Sequence, residues 1–295
     1  MQLKEAWEFY IKTNPRIKSH STVKHYNSCY RQLCKFSGRT VEFTDLNDDF
    51  AHGWSKWLLG NGLAEPTVNQ KLSYLRAFWN WAAKRRYIDR FPTFQNIDEP
   101  EPDTQTWTDD EVQRMFTACD NLSGRYMWKV NRSDWWRAYL AFHLETGERT
   151  SAVFSTQWSW FSGEKLVYPP DVRKGKKKRS FHIIRPEVMQ LLEPLRAFGT
   201  PQIFNFPSWR MGETPPSYYS HFRTLLKSAG LPHDRKKLGQ CLRRRTINWL
   251  ILADGIDTAR RAATHSSARV TEKYYEDPRL TRTDGFSKHL PKFIG

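Results

Sequence analysis

Four stretches in the second half of the chain carry residue types that suit one kind of chemistry. They are Thr146-Gly147-Glu148-Arg149, the basic run from Arg173 to Arg179 that holds Lys174 and Lys176, Gln240-Cys241-Leu242-Arg243, and His265 followed nine residues later by Tyr274. An arginine presents a rigid, permanently charged fork that holds two oxygens of a phosphate, and Arg149 and Arg243 are two such forks. A tyrosine is a phenol with an ordinary pKa of about 10, so it attacks phosphorus only when cations or a base help it to ionise. Opening a phosphodiester without a metal needs an in-line nucleophile, stabilisation of charge on the non-bridging oxygens and a proton for the leaving oxygen. By analogy with oxyanion-hole donors, losing one of the arginines would raise the barrier by roughly 3 to 4 kcal/mol.

Each residue also has a plainer reading. Arg149 by itself reads as a cation at a helix C-terminus, where the dipole favours it. Most charges from Arg173 to Arg179 read as a solvated hairpin tip, with Lys174 the chemical candidate, Lys176 the next, and Arg173 and Lys176 candidate DNA contacts. Arg243, Arg244 and Arg245 diverge by about 100° per residue on a helix, so at least one faces solvent or a nucleic-acid backbone, and Arg244 is the candidate. Tyr275 reads as packing beside Tyr274. Trp135, Trp136, Trp158 and Trp160 read as core, and His143, His182, His221 and His233 receive no role.

The elements that must position these residues follow from periodicity. The first ninety residues read as short amphipathic helices: Ser21 to Phe36 stopped by Gly38, Asp48 to Leu59 stopped by Gly60 and Gly62, and one after Pro66 with Val68, Leu72, Leu75, Trp79 and Ala82 on one stripe. Residues 92–106, rich in proline and acids, read as a linker between an all-α domain (1–91) and a second domain (107–295). The second opens on the capping box of Thr108 and Glu111. Helices are expected at Ser133 to Glu145, Pro186 to Phe198, Ser217 to Ala229, Leu238 to Ala253 (closed by Asp254-Gly255), Thr258 to Ala263 and Val270 to Glu276. Two short strands, Lys165 to Tyr168 and Arg179 to Ile184, flank the basic turn. The fold class is mainly α with a small β-sheet in the C-terminal domain, an α+β arrangement.

Composition narrows the partners. Within 295 residues, 47 Lys and Arg outnumber 31 Asp and Glu, a net charge of +16, which favours a polyanion, nucleic acid before membrane. No stretch approaches the roughly 18 to 20 apolar residues that span a bilayer, and no signal-peptide core is visible. Cys29, Cys34, Cys119 and Cys241 are scattered, reading as reduced thiols, and neither they nor the nine histidines form a zinc cluster. No cofactor or metal is expected.

At these residues the chain resembles the tyrosine recombinase, or phage integrase, family. Thr146-Gly147-Glu148-Arg149 is similar to the family's TG-x-R turn, Trp158-Ser159-Trp160 to its downstream Trp-Ser-Asp, Lys174 to its hairpin lysine and Gln240-Cys241-Leu242-Arg243 to its H-x-L-R. His265 and Tyr274 stand at its usual nine-residue spacing, and residues 67–89, including the candidate DNA contact Lys71, resemble the end of its SAM-like core-binding domain. The chain departs at Gln240 (usually His or Lys), Arg244 (often His), Ala152 (commonly Glu) and Thr264 (usually Gly). The resemblance implies a site-specific DNA recombinase whose Tyr274 forms a covalent 3′-phosphotyrosyl bond. Arg149 and Arg243 would hold the phosphate, Lys174 would protonate the 5′-oxygen and His265 would donate to the phosphate, without metal or ATP. It implies double-stranded DNA held in a two-domain clamp, a homotetramer on two DNA sites with the tail from Arg279 to Gly295 exchanged between neighbours, accessory DNA-bending proteins, and a cytoplasmic, DNA-associated location. An arm-site-binding domain is expected to be absent. The alternatives are a catalytically impaired DNA-binding relative and a type IB topoisomerase-like enzyme.

Overall fold

The computed structural model describes residues 1–102, 104–172, 179–206, 214–234, 238–263 and 267–281. The chain forms two compact units, Met1–Glu101 and Pro102–Gly295.

The first unit is built from α1 (Leu3–Thr13), α2 (His20–Ser37), α3 (Asp48–Gly60) and α4 (Glu65–Lys84), with one 3-10 turn at Phe43–Asp45. Local chemistry sets the ends. Ser19 Oγ accepts from the Thr22 amide at 3.1 Å, Asn47 Oδ1 accepts from the Phe50 amide at 2.8 Å, and Gly38 closes α2 at φ +70°. α4 packs against the other three helices, and its stripe of Val68, Leu72, Leu75, Trp79 and Ala82 is buried throughout. Residues 92–101 lack regular structure but lie on this unit: Asn69 Nδ2 donates to the Ile97 carbonyl and to Glu99, each at 2.8 Å, and Asp48 accepts from the Thr93 and Phe94 amides.

The second unit is organised around α6 (Arg132–Thr146). Nine of its 15 residues are buried and spread over nearly every side, which is the pattern of a helix enclosed by others. α5 (Asp109–Cys119) packs on α6 and starts at the capping box of Thr108 and Glu111. Trp135 stacks on Tyr139 at 5.1 Å and Trp136 on Phe222 at 5.3 Å, the latter from α9 (Tyr218–Ser228).

Ahead of α6 stands a hairpin of β1 (Arg125–Tyr126) and β2 (Val130–Asn131) that periodicity does not announce. Its turn residues Met127 and Trp128 sit at φ 50° and 61°, where glycine or asparagine is the usual signal. After α6 come α7 (Thr150–Phe154) and an antiparallel sheet of β3 (Phe161–Ser162), β4 (Lys165–Tyr168) and β5 (Ser180–Ile183). Tyr168 pairs with Ser180, and the basic run falls between these two strands in the sequence. Arg173, Lys174 and Lys176 fall outside the described residues. The expected helix Pro186 to Phe198 divides into α8 (Pro186–Leu192) and a 3-10 stretch, because Pro194 lacks the amide that would continue the α-ladder.

Helix α10 (Gln240–Ala263) is broken at Asp254-Gly255, where the sequence places its stop: Asp254 lies at φ −149° and Gly255 at φ 78°, ψ 173°, and a second helical segment follows as far as Ala263. The kink has a geometric consequence. Arg243 and Ala263 would lie roughly 30 Å apart on a straight helix at about 1.5 Å per residue, yet the Arg243 Nη2 donates to the Ala263 carbonyl at 2.9 Å. The chain must therefore reverse between them. α11 (Ala268–Tyr275) and the short α12 (Pro278–Thr281) pack back on α10. The segment from Phe286 to Phe293 lies outside the described residues. No described helix is long and apolar enough to cross a membrane, and none of the four cysteines forms a disulfide.

Gly255 occupies backbone that is essentially reserved for glycine, so Gly255→Ala should cost about 1 to 3 kcal/mol. Gly60 lies in helical backbone with open space at the Cβ position, so Gly60→Ala should be neutral or stabilising by up to about 1 kcal/mol. Denaturant unfolding of both variants tests the pair. Equal effects would remove the argument for the kink.

Candidate active site

The site is assembled where the end of α6, the start of α10 and the end of α11 meet. Gly147 terminates α6 in the left-handed region at φ 56°. Glycine is required twice over, for the angle and because a Cβ would come within 2.9 Å of the Thr246 methyl. The turn delivers Glu148 into the interior, 1% exposed, and leaves Arg149 half-buried at the N-cap of α7.

Arg243 is the centre of the arrangement. It is 1% exposed, its Nη1 donates to the Gly147 carbonyl at 2.6 Å and its Nη2 to the Ala263 carbonyl, and Nη1 lies 3.9 Å from the Glu148 carboxylate. Its guanidinium stands 5.4 Å from the centroid of the Tyr275 ring and hydrogen-bonds the Tyr275 hydroxyl. Burial raises the Tyr275 pKa, but the charge and hydrogen bond of Arg243, with the charges of Arg149 and Arg244, outweigh it and hold the phenol below its ordinary value. Gln240, exposed at the head of α10, reaches the same hydroxyl with its Nε2 at 3.5 Å.

Behind the arginine lies a buried polar layer. Glu148 Oε1 accepts from the Ser180 hydroxyl at 2.8 Å and lies 3.3 Å from His182 Nε2, so β5 is tied to the carboxylate that faces Arg243. The backbone carbonyl of Glu148 accepts from His143 Nε2–H at 2.8 Å, and Tyr139 donates to His143 Nδ1 at 3.0 Å. A carbonyl can only accept, so this pairing sets the tautomer. Burial lowers the His143 pKa to about 3.

Helix α11 is latched at its C-terminal end. The fully buried Asn248 donates from Nδ2 to the Tyr275 carbonyl and accepts the Asp277 amide at Oδ1, both at 2.8 Å. Thr106 donates its amide to Asp277 at 2.9 Å, and the Thr104 hydroxyl donates to the Glu276 carbonyl. Tyr274, one position earlier, is 43% exposed, and its ring meets Lys273 at 5.4 Å.

Comparison with known proteins decides the fold. Residues 2–97 match the phage integrase SAM-like domain. A lambda integrase dimer bound to a COC′ core site is 14% identical with a TM-score of 0.73, covering 94% of this chain and 96% of that one. The Tn1549 transposon integrase in complex with transposon right end DNA is 15% identical with a TM-score of 0.74, covering 98% and 99%. A lambda integrase tetramer bound to a Holliday junction matches at 14% identity and TM-score 0.74, covering 94% of this chain and 78% of that one. The chain has the integrase fold. No curated protein matches it in sequence.

Within this fold the structure brings Arg149, Gln240 and Arg243 together with Tyr275. Lys174 and His265 lie outside the described residues. Arg245 turns away to pair with Asp109 at 2.7 Å and to stack on Trp249, whereas Arg244 stays by Tyr275 with a buried Nε that has no hydrogen-bond partner among the described residues. Lys71 is half-buried near Cys29, and burial lowers its pKa. The sequence assigns no role to His143 or His182 and reads Tyr275 as packing. Lone histidines carry no signal of their own, and adjacent tyrosines on a helix are told apart only once the buried face is known.

His143 makes a pH prediction. The folded chain keeps it neutral to about pH 3, while an unfolded histidine takes up a proton near about 6.5. Between those values the unfolded state binds one more proton, so stability present above about pH 6.5 is lost as pH falls, by up to roughly 1.4 kcal/mol per unit. His143→Gln keeps a donor and an acceptor without titrating. Its unfolding free energy should fall less steeply from pH 6.5 to 4 than the parent's, and parallel curves would refute the assignment.

Proposed function

We propose that this integrase-fold chain is a site-specific tyrosine recombinase, which cleaves and rejoins double-stranded DNA through a covalent 3′-phosphotyrosyl intermediate. The observation that carries this is the meeting of two arginine forks and a tyrosine hydroxyl, Arg149, Arg243 and Tyr275, in one site on a fold shared with DNA-bound integrases. Arg149 and Arg243 take the non-bridging oxygens of the scissile phosphate and stabilise the charge that builds as phosphorus becomes five-coordinate. A tyrosine of α11 attacks. The phosphotyrosyl bond conserves the energy of the broken diester, so a second 5′-hydroxyl can reverse the step without ATP.

Lys174 is assigned as general acid to the 5′-oxygen, and His265 as a donor to the phosphate. The basic turn containing Arg173 and Lys176, with Lys71 and Arg244, supplies backbone contacts. The enzyme works as a homotetramer on two DNA sites, as the lambda integrase tetramer on a Holliday junction suggests, with accessory DNA-bending proteins assisting at some sites and a DNA-associated location in the cytoplasm.

Gln240 separates this chain from the common pattern. Its amide can orient a hydroxyl or donate to a phosphate, but it cannot act as a base near neutral pH. Proton loss from the tyrosine then depends on the field of the arginines.

The test is a suicide DNA substrate whose cut strand cannot religate. A denaturation-resistant protein–DNA adduct is expected, and no adduct on any integrase target tried would overturn the reading. Cleavage should persist in excess EDTA because arginines take the place of a metal. DNA affinity should fall by about 10³ to 10⁵ between about 50 and 200 mM salt if roughly six to ten phosphates are contacted. In single-turnover cleavage, Arg149→Ala should slow the reaction by about 10² to 10³. Gln240→Ala removes one neutral hydrogen bond of about 1 kcal/mol and should slow it by only about tenfold or less. A Gln240→Ala enzyme as slow as Arg149→Ala would show that the glutamine does more than orient.

A further inference from the structure

We propose that Tyr275 is the resident occupant of the phosphate site: until DNA arrives, its hydroxyl takes the hydrogen bond of Arg243 that a phosphate oxygen later takes, and a phosphate must displace it to bind. The inference rests on the recombinase reading above and leaves Tyr274, nine residues after His265, as the nucleophile.

Two arginines gathered for one phosphate repel each other. Burial lowers the pKa of Arg243 and the charge of Arg149 adds to that, while Tyr275 and Glu148 work in the opposite direction. Tyr275 does so with an oxygen. Its hydroxyl hydrogen-bonds Arg243, and the guanidinium lies 5.4 Å from the centroid of its ring. Gln240 Nε2 donates to the same hydroxyl at 3.5 Å, so one oxygen meets an arginine and an amide, as a phosphate oxygen would.

The choice of a phenol makes the contact reversible. Burial raises the Tyr275 pKa, but Arg243, Arg149 and Arg244 together hold it below its ordinary value, so the hydroxyl is polarised toward its oxygen. It nevertheless offers Arg243 one oxygen, whereas a phosphate pairs with an arginine through two. A carboxylate in this place would also offer two and would not yield. The occupant thus weakens every anion by the cost of its own displacement. A diester in DNA makes up that cost through further contacts along the backbone, and a free inorganic anion has none to add.

The same contact places the neighbouring tyrosine. Consecutive residues of a helix point about 100° apart, and residues four apart share a face. Thr271 is fully buried on α11 and Tyr275 lies one turn further along that inner face, where Asn248 also holds its carbonyl. Tyr274 lies on the outer face with Lys273 against its ring. While the Tyr275 hydroxyl is bonded to Arg243 the nucleophile faces away from the arginines, so release of that hydroxyl precedes attack.

The experiment titrates inorganic phosphate into the full, DNA-free chain by isothermal titration calorimetry. Tyr275→Phe keeps the ring and removes the oxygen. It should bind phosphate about tenfold or more tightly than the wild-type protein, because a hydrogen bond to a charged group is no longer given up. Adding Arg149→Ala to Tyr275→Phe should abolish the gain. Equal affinities, no binding by either protein, or a gain that survives Arg149→Ala would overturn the assignment. Fluorine NMR of a chain with 3-fluorotyrosine at position 275 alone does not depend on that variant folding. Phosphate should move the resonance, and a resonance that phosphate leaves unmoved would overturn the assignment. Adduct formation on the suicide substrate is read separately. A chain that gains phosphate affinity but never forms an adduct would sink the recombinase reading alone, and one that forms the adduct without the gain would sink the occupant alone.

Discussion

A buried guanidinium governs the architecture of the second unit. Arg243 is 1% exposed, and an ion removed from water to that degree is tolerated only where neighbours replace its hydration. Each neighbour that does so comes from a different part of the chain: the Gly147 carbonyl from the end of α6, the Ala263 carbonyl from beyond the kink in α10, the Glu148 carboxylate from the turn between α6 and α7, and the Tyr275 ring and hydroxyl from α11. Satisfying one charge therefore draws together elements whose residues are separated by more than a hundred positions. The left-handed Gly147 and the reversal at Asp254-Gly255 are both needed for it. Removing one partner of such a buried pair typically costs roughly 3 to 5 kcal/mol because the other charge is stranded.

Glu148 extends this control to the sheet. The same carboxylate that faces Arg243 accepts from Ser180 and lies beside His182, so β5 is held to the arginine through a single acidic side chain. The family pattern often places a glutamate three positions after the first arginine, where this chain has Ala152, which is buried and apolar here. An acid one position before Arg149 is in place instead, and in this fold it reaches the second arginine. His143, held neutral, completes the layer by binding the Glu148 backbone without adding a competing positive charge next to Arg243.

Much of this was legible in the sequence where a local rule acts alone. The capping box at Thr108, the stop at Gly38, the apolar stripe of α4 and strand β4 each obey a short-range preference, and each stands where that preference puts it. The second-unit features that escaped are those set by long-range contacts. The hairpin at Met127-Trp128 lacks the glycine that would mark it, and although Asp254-Gly255 marks the break in α10, nothing local says that the chain reverses there to bring the Ala263 carbonyl to Arg243. Of the candidate site residues, Arg149, Gln240 and Arg243 each lie within one turn or one helix start, and the structure brings them together. That Tyr275 packs against them is set by which face of α11 meets α10, which no local pattern shows.

The arrangement also bears on how DNA would enter the site. At rest, the face of Arg243 that would hold a phosphate is partly covered by Tyr275, whose hydroxyl takes a charged hydrogen bond worth about 1.5 to 3 kcal/mol. A phosphate oxygen carries full charge and is the better acceptor, so its arrival displaces the hydroxyl and leaves the arginine no worse satisfied. Asn248 and the Asp277 latch hold the Tyr275 backbone in place during such an exchange. On the proposed reading, one exchange at Arg243 seats the phosphate and releases the Tyr275 hydroxyl, and the neutral Gln240 amide can then donate to either the hydroxyl or a phosphate oxygen.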